Sequence, residues 1–267
     1  MTTAVVDVPH LDIGGTQKVS FATLVKVELR KSYDTRASFW LLATIGIVVL
    51  LVEAIVLIVS IAQDGSVQFG DFVGAAAFCT SVLLPVLGIM LVTSEWSQRT
   101  AMVTFALEPR RSLIMWAKLV VGILLTLVTA LGATVLGAFM NLLFAVLHGN
   151  ADWTFGWNFF GGFVIAQSLA MIGGFALATL LLNTPAAIVL FFVYKWVVPG
   201  IFAVASANIG WFDSASQWVD FQRAQGPLYD LTLNTGKEWA YLLVSGLIWL
   251  VVPFVLGVWR ILRAEVK

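Results

Sequence analysis

The stretch from Ser94 to Lys118, SEWSQRTAMVTFALEPRRSLIMWAK, carries Glu95, Arg99, Glu108, Arg110, Arg111 and Lys118 between two long apolar runs. So many charges cannot lie in hydrocarbon, so this is a polar link at a membrane face. Within it, Thr100 to Leu107 is rich in apolar residues and stops short of Pro109, which disfavours helical geometry in the residue before it. The expected element is a short helix with polar ends, suited to docking in a groove of a soluble partner. An ordinary basic loop that sets membrane topology accounts for the same residues.

Two further ionisable residues fall inside apolar runs. Glu53 is about 22 Å into the first run and Lys195 about 14 Å into the fifth, measured from the same face at about 1.5 Å per helical residue. Each alone at mid-membrane costs on the order of 2.5–3.5 kcal/mol. The pair reads as a structural ion pair, as charges lining a wet cavity, or as a proton-coupled site. A third group, Trp211, Phe212, Trp218 and Phe221, alternates with Asp213, Asp220 and Arg223 in a long loop. These aromatics are expected to form amphipathic helices on the outer membrane surface or dipping into it, as a structural cap on an exit route, with a substrate site or an aromatic belt of no transport role as the alternatives.

Other chemistry is absent from the sequence. There is no GxxxxGK[ST] phosphate loop, no HExxH and no GxSxG, and His10, His148 and the single Cys79 are isolated. The expectation is a chain with no catalytic residues, no bound cofactor and no metal. Net charge is zero, which gives no basic field for nucleic acid.

The elements that position these residues follow from hydropathy. Hydrophobic residues make up 60% of 267 and mean hydropathy is +0.95, far above a soluble domain. Six runs reach the roughly 20 residues that span a bilayer core: 38–62, 72–94, 119–147, 159–182, 186–206 and 239–259. The third is overlong and is expected to tilt or project. The fourth and fifth, separated by Asn183-Thr184-Pro185, should form a tight hairpin.

Residues 1–37 form an N-terminal segment with no cleavable signal peptide expected, and 260–267 form a tail. Within 18–36, Phe21, Val25, Leu29 and Tyr33 make a stripe with Lys26 and Arg30 off it, which predicts an interfacial helix. Glu28 beside the stripe leaves a loosely ordered tail as the alternative. Twelve of fifteen lysines and arginines lie in the N-terminal segment, the loop after span two and the tail, which puts both termini in the cytoplasm. Pro85, Pro199 and Pro253 interrupt spans two, five and six. Ala170, Gly174 and Ala178 in span four, and Gly132 and Gly137 in span three, are suited to close helix approach.

At Glu95, Arg99-Thr100, Leu107, Pro109, Arg111 and Lys118 the chain resembles the loop between the second and third spans of ABC-2 type transporter permeases, with Arg99 where glycine is usual. The six-span layout and the tail WRILRAEVK resemble the same family. The resemblance implies an all-α, polytopic, type V exporter-like fold with an interfacial helix, a cytoplasmic coupling helix and an extracellular amphipathic loop. It also implies a permease subunit in a bacterial cytoplasmic membrane, dimeric with itself or with a related permease, with spans one and five near the dimer interface, so that Glu53 and Lys195 pair within or between subunits. That subunit would move an amphiphilic substrate (drug, antibiotic, peptide or lipid-like molecule) using ATP and Mg held by a separate nucleotide-binding ATPase. The coupling residues implied are Glu95, Arg99, Thr100, Thr104, Leu107, Glu108, Pro109, Arg110 and Arg111. The alternative is a non-ABC secondary transporter or channel that uses Glu53 and Lys195 as an ion or proton site.

Overall fold

The computed structural model describes residues 18–149, 152–229 and 231–263. His10, with the rest of residues 1–17, and the last four residues of the WRILRAEVK tail lie outside the described residues. The described residues form helices and no strand. In order they are α1 (Phe21–Asp34), α2 (Arg36–Ala62), α3 (Phe69–Ser97), α4 (Ala101–Leu107) and α5 (Arg111–His148). Then follow α6 (Trp157–Leu181), α7 (Thr184–Asn208), α8 (Gly210–Val219), α9 (Phe221–Ala224) and α10 (Gly236–Arg263). Six of them, α2, α3, α5, α6, α7 and α10, are long and apolar enough to cross a membrane, which makes this a multi-pass membrane protein.

The centre of the bundle is the pair α3 and α6, the most buried of the six. Lipid tails are as apolar as leucine, so close approach and van der Waals packing hold such helices together. A Cβ on Gly174 would overlap the Pro85 carbonyl, and one on Gly88 would lie 2.6 Å from the Met171 carbonyl. The small-residue stripe of α6 therefore does what its spacing predicts, against the helix that Pro85 interrupts. Gly257 on α10 packs on Thr179 and Leu180 in the same manner. In α5, Gly137 touches Phe72, but a Cβ on Gly132 would meet nothing within 4 Å. Gly132 is thus not a packing glycine, contrary to expectation.

Both α7 and α10 widen into a π-helical turn, Val193–Val197 and Leu247–Val251, each ending two residues before a proline. Pro199 and Pro253 lack the N–H that would bond the carbonyl four residues back, and their rings crowd it. The wider turn relieves both problems: the Val198 N–H bonds Val193 and the Val252 N–H bonds Leu247, each five residues back. The α6–α7 hairpin is as tight as expected. Leu182 adopts a left-handed φ of 52°, and Asn183 Oδ1 accepts from the Ala186 N–H at 3.0 Å to cap α7.

At one end of the bundle the long loop folds into the protein. Phe221 and Leu228 join the main core with Leu242 and Leu250, and the Trp249 indole donates to the Val219 carbonyl at 2.8 Å. Gly162 receives the backbone of Leu228 and Tyr229. Trp211 and Trp218 stay exposed and Phe212 is half-buried, whereas Phe221 is 2% exposed. The expected cap of four surface aromatics is corrected at Phe221: it is a core residue, held against Gly246.

Candidate functional site

The charged residues of the α3–α5 link gather at the opposite end, where α1, α4, the end of α3, the start of α5 and the end of α10 meet. α5 is 38 residues long, about 57 Å at 1.5 Å per residue, so it reaches beyond a bilayer core of about 30 Å. Its first turns carry Arg111 and Lys118 into this assembly.

Four charges form a closed ring there. Lys118 Nζ donates to Glu28 Oε2 at 2.7 Å and lies 3.3 Å from Glu95 Oε1. Lys31 Nζ donates to Glu28 Oε1 and to Glu95 Oε1, each at 2.7 Å. Lys118 is 2% exposed, Glu28 5% and Glu95 7%, with Lys31 closing the ring from the solvent side. Burial alone would lower the Lys31 pKa, but the two carboxylates beside it hold it above its ordinary value. A cavity of about 300 Å³ opens over the ring, lined also by Thr100, Val103 and Thr104. Alternating signs let three charges be buried beside the half-exposed Lys31, since each carboxylate faces two ammonium groups.

Glu28 and Lys31 are additions that sequence reasoning misses. Spacing assigns the α1 stripe to Phe21, Val25, Leu29 and Tyr33, but Phe21 and Tyr33 are exposed at 41% and 53%. A spacing of four residues drifts around a helix that turns every 3.6 residues. The inward face is Val25, Glu28, Leu29 and Ser32, with Ser32 Oγ donating to the Glu28 carbonyl at 3.1 Å. The presence of Glu28 beside the apolar stripe is itself the available signal.

The short helix α4 is built against the ring. Its Ala101 and Phe105 pack with Ile114, Met115 and Ile261, and Thr104 Oγ1 donates to Glu95 Oε1 at 3.3 Å. Its other face, Met102, Val103 and Leu107, is exposed at 49%, 60% and 79%. Thr104 therefore points inward, and the apolar surface presented outward is Met102, Val103 and Leu107.

The flanks of α4 are fixed by charge. Glu108 accepts Arg110 Nε at 2.7 Å and Nη2 at 2.8 Å, which lowers the Glu108 pKa to about 2, and Arg110 Nη2 also reaches the Val19 carbonyl at 2.8 Å. Arg111 Nη1 donates to the Ile261 carbonyl at 2.8 Å, and its guanidinium stands 4.9 Å from the Phe105 ring centroid. Arg260 donates to the Leu180 carbonyl. These bonds staple α10 to α6 and to the α4–α5 link. Pro109 is exposed and follows Glu108, the C-cap of α4.

Arg99, exposed, has φ of 57°, in the left-handed region where glycine carries no steric cost. This turn lets the chain leave α3 and start α4 with Thr100 N–H bonding the Glu95 carbonyl at 2.9 Å. No family model matches the chain, and no curated protein matches it.

Glu53 and Lys195 are not brought together. Among the described residues neither has an ion-pair partner. Lys195 lies half-buried in the π-turn of α7, with its Nζ 5.9 Å from the Trp196 ring centroid. Glu53 has no exposed surface, and neither carboxylate oxygen has a hydrogen-bond partner. The expected pair is absent within the chain, and no second chain can touch a side chain enclosed in this way without a rearrangement.

Proposed function

We propose that this chain is the membrane-spanning permease subunit of an ATP-driven exporter, with a separate nucleotide-binding ATPase docking on α4. The observation that carries this reading is α4 itself. Seven residues long, it has one face bound to the bundle through Ala101, Phe105 and Thr104 and an apolar face of Met102, Val103 and Leu107 left uncovered. A push on α4 reaches Glu95 directly, and through Glu95 and Lys118 it reaches α1, α3 and α5 together. That is the connection a coupling helix needs. Resemblance of Glu95, Arg99-Thr100, Leu107, Pro109, Arg111 and Lys118 to the ABC-2 loop supports the same reading, and the left-handed Arg99 explains why glycine suits that position.

In this reading the ring end faces the cytoplasm, as the distribution of lysine and arginine favours, and the membrane is the bacterial cytoplasmic membrane. Two copies of this chain, or this chain and a related one, would associate within the membrane. The cargo is amphiphilic and leaves towards the α8–α9 end. The test is purification of the tagged protein from its native membranes in mild detergent, with identification of what remains bound. Recovery of an ATPase carrying a phosphate-binding loop, with efflux abolished by ATP depletion, is the expected result. Efflux that follows a proton gradient and survives ATP depletion would instead favour the secondary-transporter class.

A further inference from the structure

The Glu53 carboxyl is an unexplained cost. It is fully enclosed on α2 between Val49, which packs with Ala76 and Ala133, and Leu57, which packs with Phe72, Met140 and Phe144. The charged groups on the helices packed here, Arg36 on α2, Asp71 and Glu95 on α3, and Arg111, Lys118 and His148 on α5, lie near the helix ends, and α3 adds the Cys79 thiol. With both oxygens unpartnered, Glu53 sits in this conformation as the neutral acid, because an ionised carboxylate there would be uncompensated.

The same stripe of α2 continues into a groove. Leu42, Gly46 and Val49 on α2 face Gly132, Leu136 and Phe139 on α5 across an apolar groove of about 910 Å³, open on its outer side. Glu53 is the next residue on that stripe, four positions past Val49. A Cβ on Gly46 or Gly132 would meet nothing within 4 Å, so both glycines widen the groove instead of tightening the helix pair. The groove therefore has an apolar lining along α2 from Leu42 to Val49, seven residues or about 10 Å, and the enclosed, unsatisfied Glu53 acid lies one turn beyond that lining.

We infer that this groove and Glu53 form a binding site for a lipophilic amine. Hydrocarbon admits such an amine as its neutral base. On arrival the Glu53 carboxylic acid gives its proton to the amine nitrogen, and the product is an ammonium–carboxylate pair whose charges offset one another, with the tail lying along the groove. Entry requires α2 to ease away from α5 near Val49, Ala133 and Leu136. α2 contributes only the single stripe Ile45, Val49, Glu53 and Leu57 to the interior, which makes it the span suited to that motion. That the amine is cargo rests on the exporter reading; that it binds does not.

The experiment uses the full chain in nanodiscs of zwitterionic lipid, without nucleotide or ATPase, so that failure here is separate from failure of the exporter reading. A long-chain alkylamine with a photoreactive group in its tail is compared with the matching alcohol, and adducts are mapped by peptide mass spectrometry. The amine is expected to label α2 and α5 along the groove, with unlabelled alkylamine competing. Glu53→Gln should weaken competition about ten- to a hundredfold, as loss of a charge-assisted bond does, and leave alcohol labelling unchanged. Gly132→Phe or Gly46→Leu fills open space and should remove labelling by both probes while the thermal unfolding midpoint stays near wild type. Equal labelling by amine and alcohol, or wild-type competition in Glu53→Gln, would show a groove for lipid tails only and overturn the inference. Amine labelling that survives Gly132→Phe and Gly46→Leu would overturn the location.

Discussion

Replacing Lys118 with methionine tests the charge ring most sharply. The ammonium removed is 2% exposed and serves two carboxylates, Glu28 at 2.7 Å and Glu95 at 3.3 Å. What remains is two buried carboxylates sharing Lys31, whose side chain is 39% exposed and partly screened by water. Breaking a buried pair by removing one partner costs about 3–5 kcal/mol, because the other charge stays buried. Lys118→Met should therefore destabilise by about that much, whereas Lys31→Met, at the wet edge, should cost about 1 kcal/mol or less. Combining Lys118→Met with Glu28→Gln removes one charge of each sign and should recover part of the loss, a coupling of about 1–3 kcal/mol. The assay is reversible unfolding in mixed detergent micelles with increasing SDS. A Lys118→Met loss no larger than that of Lys31→Met, or strictly additive losses in the double variant, would refute a buried, mutually compensating ring.

Three other outcomes follow from the geometry. Arg99→Gly relieves a left-handed side-chain clash at an exposed turn and should raise stability by about 1 kcal/mol, read in the same unfolding assay. Gly174→Ala should cost more than about 1 kcal/mol because its Cβ overlaps the Pro85 carbonyl, which cannot rotate away; Gly132→Ala, with open space around it, should be near neutral. Arg110 depresses the Glu108 pKa to about 2, so the stability it contributes is full above the unfolded carboxylate pKa near 4.5 and is lost as pH falls towards 2. The difference in Tm between wild type and Glu108→Gln should thus be constant at neutral pH and close between about pH 4.5 and about pH 2.

The spans are legible in the sequence because hydropathy and the bilayer thickness leave little freedom, and each expected span overlaps the observed one. The stretch around α4 is legible too, since Pro109 and the charges bound it on both sides. The ring is not. Lys31 meets Glu95 across 64 residues and Lys118 meets Glu28 across 90, separations at which spacing carries no information. In the sequence Lys118 is only one letter of a motif, and the α1 stripe is set one step off its true inward face. The family resemblance implies Thr104 as a coupling residue alongside Leu107, but a seven-residue helix bound on one side has to turn some residues inward. Phe221 looks like its neighbours Trp211 and Trp218 in composition, and only the fold of the long loop separates a core aromatic from surface ones. The pairing of Glu53 with Lys195 follows from depth alone, which constrains height in the bundle but not which helix face looks at which.

The most direct measurement of ATPase docking is photo-crosslinking from α4 in native membranes. A photoreactive residue at Val103, 60% exposed, is compared with one at Phe105, 7% exposed and packed against Ile114 and Ile261. If α4 is the docking helix, Val103 yields an adduct with a nucleotide-binding ATPase while Phe105 yields only contacts within this chain. An ATPase captured equally from both positions, or none captured from Val103, would contradict docking on α4.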